Sequence, residues 1–212
     1  MKIIILLLII IWFITLAFNF LKFNLILFLF VFSSALERFW ETFIASRQYI
    51  LDKKTGFDWL FDVIALCYIA MMFGAIFEYL FISKKLIIWL IFFGLIVFSF
   101  ALILRLWAIK TLGHGWNTFV LGESKREASD ATLLMKSGPY KFIRHPIYLG
   151  AIFESISIPL VLNSYYTLGF VILICVPLFI LRAYLEEKES IKKFGSDYMK
   201  YRSEVPAFLP LM

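Results

Sequence analysis

The sequence predicts an all-α, polytopic integral membrane protein, a bundle of six (alternatively five) transmembrane helices. Hydrophobic residues make up 62% of its 212 residues, and the mean hydropathy is +0.89, whereas soluble domains are only about 45–50% apolar. Charged residues account for 17% and fall in clusters, which leaves long uncharged runs. Such runs suit helices that cross a bilayer core of about 30 Å. A soluble globule, a disordered chain and a disulfide scaffold are excluded.

The charge balance fits a membrane surface better than a nucleic acid. The net charge is +6, from 21 Lys and Arg against 15 Asp and Glu. Positive-inside bias and anionic lipid explain this excess, and no basic stripe with interleaved aromatic residues accompanies it. Cys67 and Cys175 lie inside apolar runs without metal-ligand spacing. We therefore expect no nucleic-acid partner, no metal site and no disulfide.

Four spans follow directly from the apolar runs. They are Trp59–Ile82, Leu86–Leu104, Pro146–Leu162 and Tyr165–Leu181. Only the Asn163-Ser164 pair separates the last two, and so short a connection predicts an antiparallel helical hairpin.

The first 36 residues give two further spans, or one in the five-span alternative. Ile3–Phe18 and Leu25–Leu36 are uncharged, and polar residues including Lys22 separate them. One helix over Ile3–Leu36 would extend about 51 Å at about 1.5 Å per residue, which is too long for one span without a steep tilt. The expected organisation is one membrane domain over residues 1–212, with N-terminal spans in 1–110 and a cofactor-binding half in 111–212.

Orientation follows from the positions of Lys and Arg. In the six-span topology Lys22, Lys84 and Lys85 lie on one side, and the other 18 of the 21 lie on the opposite side or at its helix ends. This asymmetry places both termini and the Lys110–Arg144 loop in the cytoplasm. The membrane would be the inner membrane in a bacterium and the endoplasmic reticulum in a eukaryote.

The Lys110–Arg144 loop carries the first polar cluster. It is about 35 residues long, whereas helix connections usually have about 2–8. Its glycine-containing turns allow a close approach of backbone to a ligand. His145 and Tyr148, three residues apart, face the same side where the next helix begins, and Pro146 suits its first turn. The partial positive charge of that helix N-terminus favours a bound carboxylate.

The second cluster lies where the last span leaves the membrane. Arg182 and Glu186 are four residues apart and are therefore neighbours on one helix face. They form either a structural salt bridge or part of a functional site. Gly195 is predicted to cap the helix before a short interfacial helix.

Three acidic residues fall within predicted spans. Glu154 is expected to face the bundle interior or a wet cavity, because a charge at that depth is costly. Asp62 and Glu78 lie nearer span ends, and we expect their side chains to reach the interface.

Four motifs together resemble the isoprenylcysteine carboxyl methyltransferase family, which is related to membrane phospholipid methyltransferases. The similarity covers about half of the chain, Leu104–Pro210. The motifs are Gly138-Pro139-Tyr140, Arg144-His145-Pro146-x-Tyr148-x-Gly150, Arg182-x-x-x-Glu186-Glu187 and Phe194-Gly195-x-x-Tyr198-x-x-Tyr201. Ser190 departs from the leucine that is common in the family.

The resemblance implies an integral membrane enzyme that transfers a methyl group from S-adenosyl-L-methionine to a lipidic acceptor, most simply a prenylcysteine-like carboxylate. Arg182 matches the residue that meets the acceptor carboxylate, and Arg182 and Glu187 are the implied catalytic residues. Leu112-Gly113 and Trp116 resemble the opening of the cofactor pocket. The implied cofactor-binding residues are Thr132, Leu133, Leu134, Met135, Tyr140, His145, Pro146, Ile147, Tyr148 and Glu186.

The chemistry fits a carboxylate acceptor, which is ionised at neutral pH and needs no general base. Methyl transfer from a sulfonium to a carboxylate neutralises both charges, so a dry site favours it. An amine acceptor, as in phospholipid N-methylation, must lose a proton, and Glu187 or Glu154 would then be the base.

The sequence is also compatible with two other functions. A sterol-reductase-like enzyme using NADPH has a similar C-terminal half, but Pro146 and the Glu186-Glu187 pair count against it. A non-catalytic transport or assembly protein would explain charges within the spans. Against that function, the chain shows no repeat symmetry.

Overall fold

The computed structural model describes residues 25–39, 58–82, 85–112 and 134–208, and the regular structure in these ranges is helical without a strand. A short 3₁₀ turn over Gly138–Lys141 precedes α4. The helices are α1 (Leu25–Phe39), α2 (Asp58–Phe81), α3 (Ile88–Leu112), α4 (Pro146–Leu162), α5 (Tyr165–Phe194) and α6 (Ser196–Glu204).

Three of these helices, α2, α3 and α5, are long and apolar enough to cross a membrane, and the apolar α4 is shorter, with 17 residues. The prediction of an all-α membrane protein with several spanning helices is confirmed. The predicted span over Ile3–Phe18 lies outside the described residues. Helix α3 continues beyond the predicted end of its span at Leu104 and ends at Leu112, because Arg105 is buried rather than placed at a boundary.

The predicted hairpin between α4 and α5 is confirmed, and α4 has the predicted bounds. Asn163 adopts the left-handed conformation, with φ of 54°, which reverses the chain in two residues. Its side-chain Oδ1 accepts a hydrogen bond from the backbone N of Ile87 at 2.7 Å. Ser164 Oγ donates to the carbonyl of Ala75 at 2.9 Å, so the turn is fixed to α2 and to the start of α3.

Glu78 contradicts the expectation that its side chain reaches the interface, because it is only 3% exposed. Its carboxylate accepts hydrogen bonds from Thr167 N at 2.9 Å, Thr167 Oγ1 at 3.0 Å and Tyr166 N at 3.1 Å. The first N–H groups of a helix have no partner within it, and its N-terminus attracts negative charge. Glu78 on α2 therefore caps α5.

Helix α5 contains a π-helical segment, Val171–Cys175, within the bilayer part of the helix. Pro177 follows it. Proline lacks an N–H and its ring crowds the preceding turn, and a wider turn relieves both problems. The helix therefore continues past Pro177 to Phe194 and carries its polar end to the membrane boundary.

Glu154 faces the bundle interior, as predicted, and is fully buried. Its Oε1 accepts hydrogen bonds from Arg38 Nε at 2.9 Å and Tyr68 Oη at 3.1 Å. Arg105 contacts its Oε2 and also lies 3.1 Å from Glu37 Oε1. This group of residues 37, 38, 68, 105 and 154, the buried ionic cluster, joins α1, α2, α3 and α4.

Helices α3 and α4 approach closely because glycine stands at their contacts. A Cβ on Gly150 would lie 2.3 Å from Arg105 Cγ and 3.1 Å from the carbonyl oxygen of Ala101. A Cβ on Gly94 would lie 2.9 Å from the backbone N of Val161. Small residues permit such approaches in membranes, where lipid removes the hydrophobic drive for helices to associate.

Gly150→Ala is therefore expected to separate α3 from α4 and to destabilise the protein by about 1–3 kcal/mol. The apparent melting temperature of the full chain in nanodiscs, followed by tryptophan fluorescence, should fall by about 3 °C or more. Gly169→Ala on α5 is the matched control, because a Cβ there meets no neighbouring atom of the described residues within 4 Å. Equal melting temperatures for the two variants would contradict the packing argument.

Candidate active site

The 3₁₀ turn before α4 packs directly on the end of α3. Gly138 has φ of 59°, and a Cβ there would lie 2.4 Å from Thr111 Oγ1, so both the conformation and the space require glycine. The turn buries Tyr140, whose carbonyl oxygen accepts a hydrogen bond from Tyr201 Oη on α6 at 2.6 Å. Burial raises the pKa of the Tyr201 phenol, which keeps this donor protonated.

His145 and Tyr148 lie on the same side of the start of α4, as the spacing predicts. Their rings stack with centroids 5.8 Å apart, and both residues are buried, at 4% and 8% exposure. Pro146 occupies the first turn of α4, as expected.

Arg182 and Glu186 are brought together on α5, with Tyr148 between them. Arg182 Nε donates a hydrogen bond to Tyr148 Oη at 2.8 Å, and Tyr148 Oη donates to Glu186 Oε1. Arg182 Nε also lies 3.7 Å from Glu186 Oε1, so the predicted proximity of this pair is confirmed. The Arg182 guanidinium carbon lies 5.4 Å from the ring centroid of Phe61 on α2.

Glu187, the next residue on α5, faces a different set of partners. Its Oε1 accepts hydrogen bonds from Arg144 Nε at 2.8 Å and His145 Nε2 at 3.1 Å. Arg202 Nε on α6 lies 3.3 Å from its Oε2. Sequence reasoning did not assign Arg144 or Arg202 to the site, although Arg144 directly precedes His145 in the quoted motif.

The segment Val205–Phe208, the C-terminal strap, lies against the start of α4. The backbone N of Arg144 donates to Pro206 O at 2.9 Å, and that of His145 donates to Ala207 O at 3.0 Å. Arg144 Nη1 also donates to Val205 O. The Phe208 ring lies 5.7 Å from the His145 ring. The strap therefore covers one side of the histidine.

Three buried polar atoms of the site have no hydrogen-bond partner among the described residues. They are Tyr140 Oη, His145 Nδ1 and Glu186 Oε2. Burial, with the nearby Glu186 charge, raises the pKa of Tyr140 well above its usual value, so its hydroxyl stays neutral. Buried polar groups are normally satisfied, and these three fit a ligand with several hydrogen-bonding groups, such as a nucleoside bearing an amino acid.

The other predicted cofactor residues divide into two groups. Met135 packs against a buried cluster that includes Tyr140 and Ile147, and Leu134 is half-buried beside Met135 in the chain. The structure thus places part of the predicted set near Tyr140. Thr132, Leu133, Gly113 and Trp116 lie outside the described residues.

Comparison with known proteins agrees with this arrangement. The model of the isoprenylcysteine carboxyl methyltransferase (ICMT) family matches residues 89–192, which contain most of the site. The protein-S-isoprenylcysteine O-methyltransferase of Xenopus laevis is 35% identical over 128 residues, 60% of this chain and 43% of its own length. The human protein of the same name is 33% identical over 140 residues, 60% of this chain and 44% of its own length.

A solved structure of the eukaryotic intramembrane Ras methyltransferase ICMT is similar in fold. It has a TM-score of 0.60 at 26% identity, covering 87% of this chain and 63% of the solved one. The family resemblance predicted from the motifs is confirmed. The chain spans less than half the length of each of these two curated relatives.

Arg144→Lys keeps the charge but cannot supply the several donors that hold the strap. We expect the strap and α6 to open more often, so that trypsin cleaves after Arg202 about 30-fold faster, as a loss of about 2 kcal/mol implies. Lys141→Arg, at an exposed side chain, is the matched control. Trypsin cleaves after both lysine and arginine, so neither substitution adds or removes a cleavage site. Equal cleavage rates in the two variants would contradict the role given to Arg144.

Proposed function

We propose that this chain, whose residues 89–192 match the isoprenylcysteine carboxyl methyltransferase family, is an integral membrane methyltransferase. It uses S-adenosyl-L-methionine and methylates the carboxylate of a lipidic acceptor. The observation that carries this proposal is the convergence of Arg182, Tyr148 and Glu186 with three buried polar atoms that have no hydrogen-bond partner among the described residues.

The residues of the site fit the proposed cofactor. S-Adenosyl-L-methionine, when bound, supplies an electrophilic methyl group on a sulfonium. Glu186 offers a carboxylate oxygen to the donors of the cofactor, and Tyr140 and His145 offer a hydroxyl and a ring nitrogen. Pro146 and Ile147 are buried beside them, so they would exclude water from the cofactor. Leu134 and Met135 would add apolar contacts.

Arg182 is suited to orient the acceptor carboxylate. Its side chain is 8% exposed, and its planar guanidinium can hold a carboxylate by two parallel hydrogen bonds. Tyr148 and the Phe61 ring fix the position of the guanidinium. In a buried site the chemistry then requires alignment rather than a proton acceptor.

A carboxylate acceptor is favoured over an amine because both predicted bases are held in ion pairs. Glu187 is bound by Arg144 and Arg202, and Glu154 by Arg38 and Arg105. Although burial opposes it, the hydrogen bonds from His145 and Arg144 lower the pKa of Glu187 to about 2, which weakens it as a base. Both oxygens of Glu154 are occupied by guanidinium groups. The proposed catalytic contribution of Glu187 is accordingly to hold other residues of the site in place.

The acceptor would reach the site from the bilayer. Large apolar side chains on α2, α3 and α5 are exposed and would face the lipid, among them Phe77, Phe93, Ile103 and Leu173. The chain is similar to enzymes named for a lipidated cysteine. We propose six spans with both termini and the 110–144 loop in the cytoplasm, so that the cofactor enters from the aqueous side.

Membranes containing the protein should transfer tritium-labelled methyl groups from S-adenosyl-L-methionine to lipid-extractable material. Arg182→Ala and Arg182→Lys should lower the rate about 30-fold or more, because loss of one partner of a buried charged pair costs about 2–5 kcal/mol. His145→Ala should weaken binding of S-adenosyl-L-methionine. Lys192→Gln, a change at a side chain that is 72% exposed, is the control. Equal labelling in all variants would exclude the proposed site.

The labelled product should release volatile methanol on treatment with alkali, because a methyl ester hydrolyses and an N-methyl amine does not. The measurement is vapour-phase counting of the base-treated lipid extract. Label that stays in the extract would instead indicate N-methylation of a phospholipid amine.

A further inference from the structure

The contact between His145 and Glu187 carries information about the cofactor site that the proposed function does not use. We infer that Glu187 is a positioning residue that holds His145 as the neutral Nε2–H tautomer, so that His145 Nδ1 accepts a hydrogen bond from the cofactor. This inference rests on the proposed function for the identity of the ligand, and the tautomer itself can be tested without it.

The proton on His145 Nε2 follows from its partner. Glu187 Oε1 lies 3.1 Å from Nε2, and a carboxylate can only accept. Arg144 and Arg202 lie 2.6 Å and 3.3 Å from the same carboxylate. Two guanidinium groups favour the ionised form, so the hydrogen in the His145–Glu187 contact belongs to the imidazole.

The state of His145 Nδ1 follows from its surroundings. The atom is buried without a hydrogen-bond partner among the described residues. A second N–H there would leave a buried donor unsatisfied, which is costly. The Tyr148 and Phe208 rings lie 5.8 Å and 5.7 Å from the imidazole ring. They hold its plane, so Nδ1 is a fixed acceptor.

The group that meets Nδ1 is a hydrogen-bond donor. Nδ1 is an acceptor in this tautomer, and Oε2 is an acceptor when the Glu186 carboxylate is ionised. Both atoms are buried without a hydrogen-bond partner among the described residues, so the inferred ligand presents donors to them, as an ammonium or a hydroxyl group does. Pro146 contributes no N–H at the start of α4. A cofactor carboxylate is therefore disfavoured at this point, although the helix N-terminus alone suggested one.

The first test is ¹⁵N NMR of histidine-labelled full chain in nanodiscs without ligand. The chain has 2 histidines, and His145→Gln assigns the signals. The wild-type protein should show a protonated Nε2 and an unprotonated Nδ1 for His145. Glu187→Gln should add a population of His145 with a protonated Nδ1. Glu189→Gln is the control, because this carboxylate pairs only with Lys192 in the described structure, and it should leave the His145 signals unchanged. A protonated wild-type Nδ1, or an unchanged Glu187→Gln spectrum, would overturn the inference.

The second test compares two histidine substitutions. Asparagine can keep an acceptor near the Nδ1 position, whereas glutamine can keep a donor near Nε2 but no acceptor at Nδ1. Binding of S-adenosylhomocysteine, measured by calorimetry, should weaken about 10-fold in His145→Gln, which is the loss of one hydrogen bond, and less in His145→Asn. The opposite ranking would contradict an acceptor at Nδ1.

Methylthioadenosine keeps the ribose but lacks the amino acid, so its binding shows whether the donor to Nδ1 is the ammonium or a ribose hydroxyl. If Nδ1 meets the ammonium, His145→Gln and the wild type should bind methylthioadenosine with the same affinity. If Nδ1 meets a ribose hydroxyl, His145→Gln should bind methylthioadenosine about 10-fold more weakly than the wild type does. Absence of S-adenosylhomocysteine binding by the wild type would reject the proposed function, while the NMR result would still decide the tautomer.

Discussion

The site depends on one buried carboxylate, that of Glu187. It joins the start of α4, through Arg144 and His145, to the end of α5 and to Arg202 on α6. Removing a partner from such a group leaves an uncompensated charge, which costs more than the pair itself contributes. Arg144, one of the two arginines that bind Glu187, also holds the C-terminal strap. The cover of the site and its interior are therefore set by a single contact network.

A second buried carboxylate, that of Glu154, joins several helices in the apolar part of the bundle. Two arginines from α1 and α3 and a tyrosine from α2 meet it, and Glu37 completes the charge balance. Lipid is as apolar as a leucine side chain, so apolar burial alone does not specify how helices pack in a membrane. The buried ionic cluster supplies directional contacts, and Gly150 gives Arg105 the space to reach them.

Local signals in the sequence predicted the parts of the structure that local physics decides. The Asn163-Ser164 turn, the start of α4 at Pro146 and the cap at Gly195 each follow from conformational preferences of a few residues. The contacts of Glu154 join residues as far as 116 positions apart, and the strap contacts join Arg144 to residues near 206. No periodicity or spacing encodes such pairings. The capping of α5 by Glu78 was missed for the same reason.

The neighbouring acids Glu186 and Glu187 show how one helix can serve two purposes. Successive residues on an α-helix point about 100° apart, so only one of the two can face Arg182 and Tyr148. Glu186 does so, and its Oε2 has no hydrogen-bond partner among the described residues. Glu187 turns towards α4 and α6 and has its charge matched there. A single-residue shift of α5 would put one of these acids in the other's environment and would bring Leu185 or Lys188 into the vacated one. The π-helical turn and the cap by Glu78, which fix the rotation and the start of α5, are thereby part of the construction of the site.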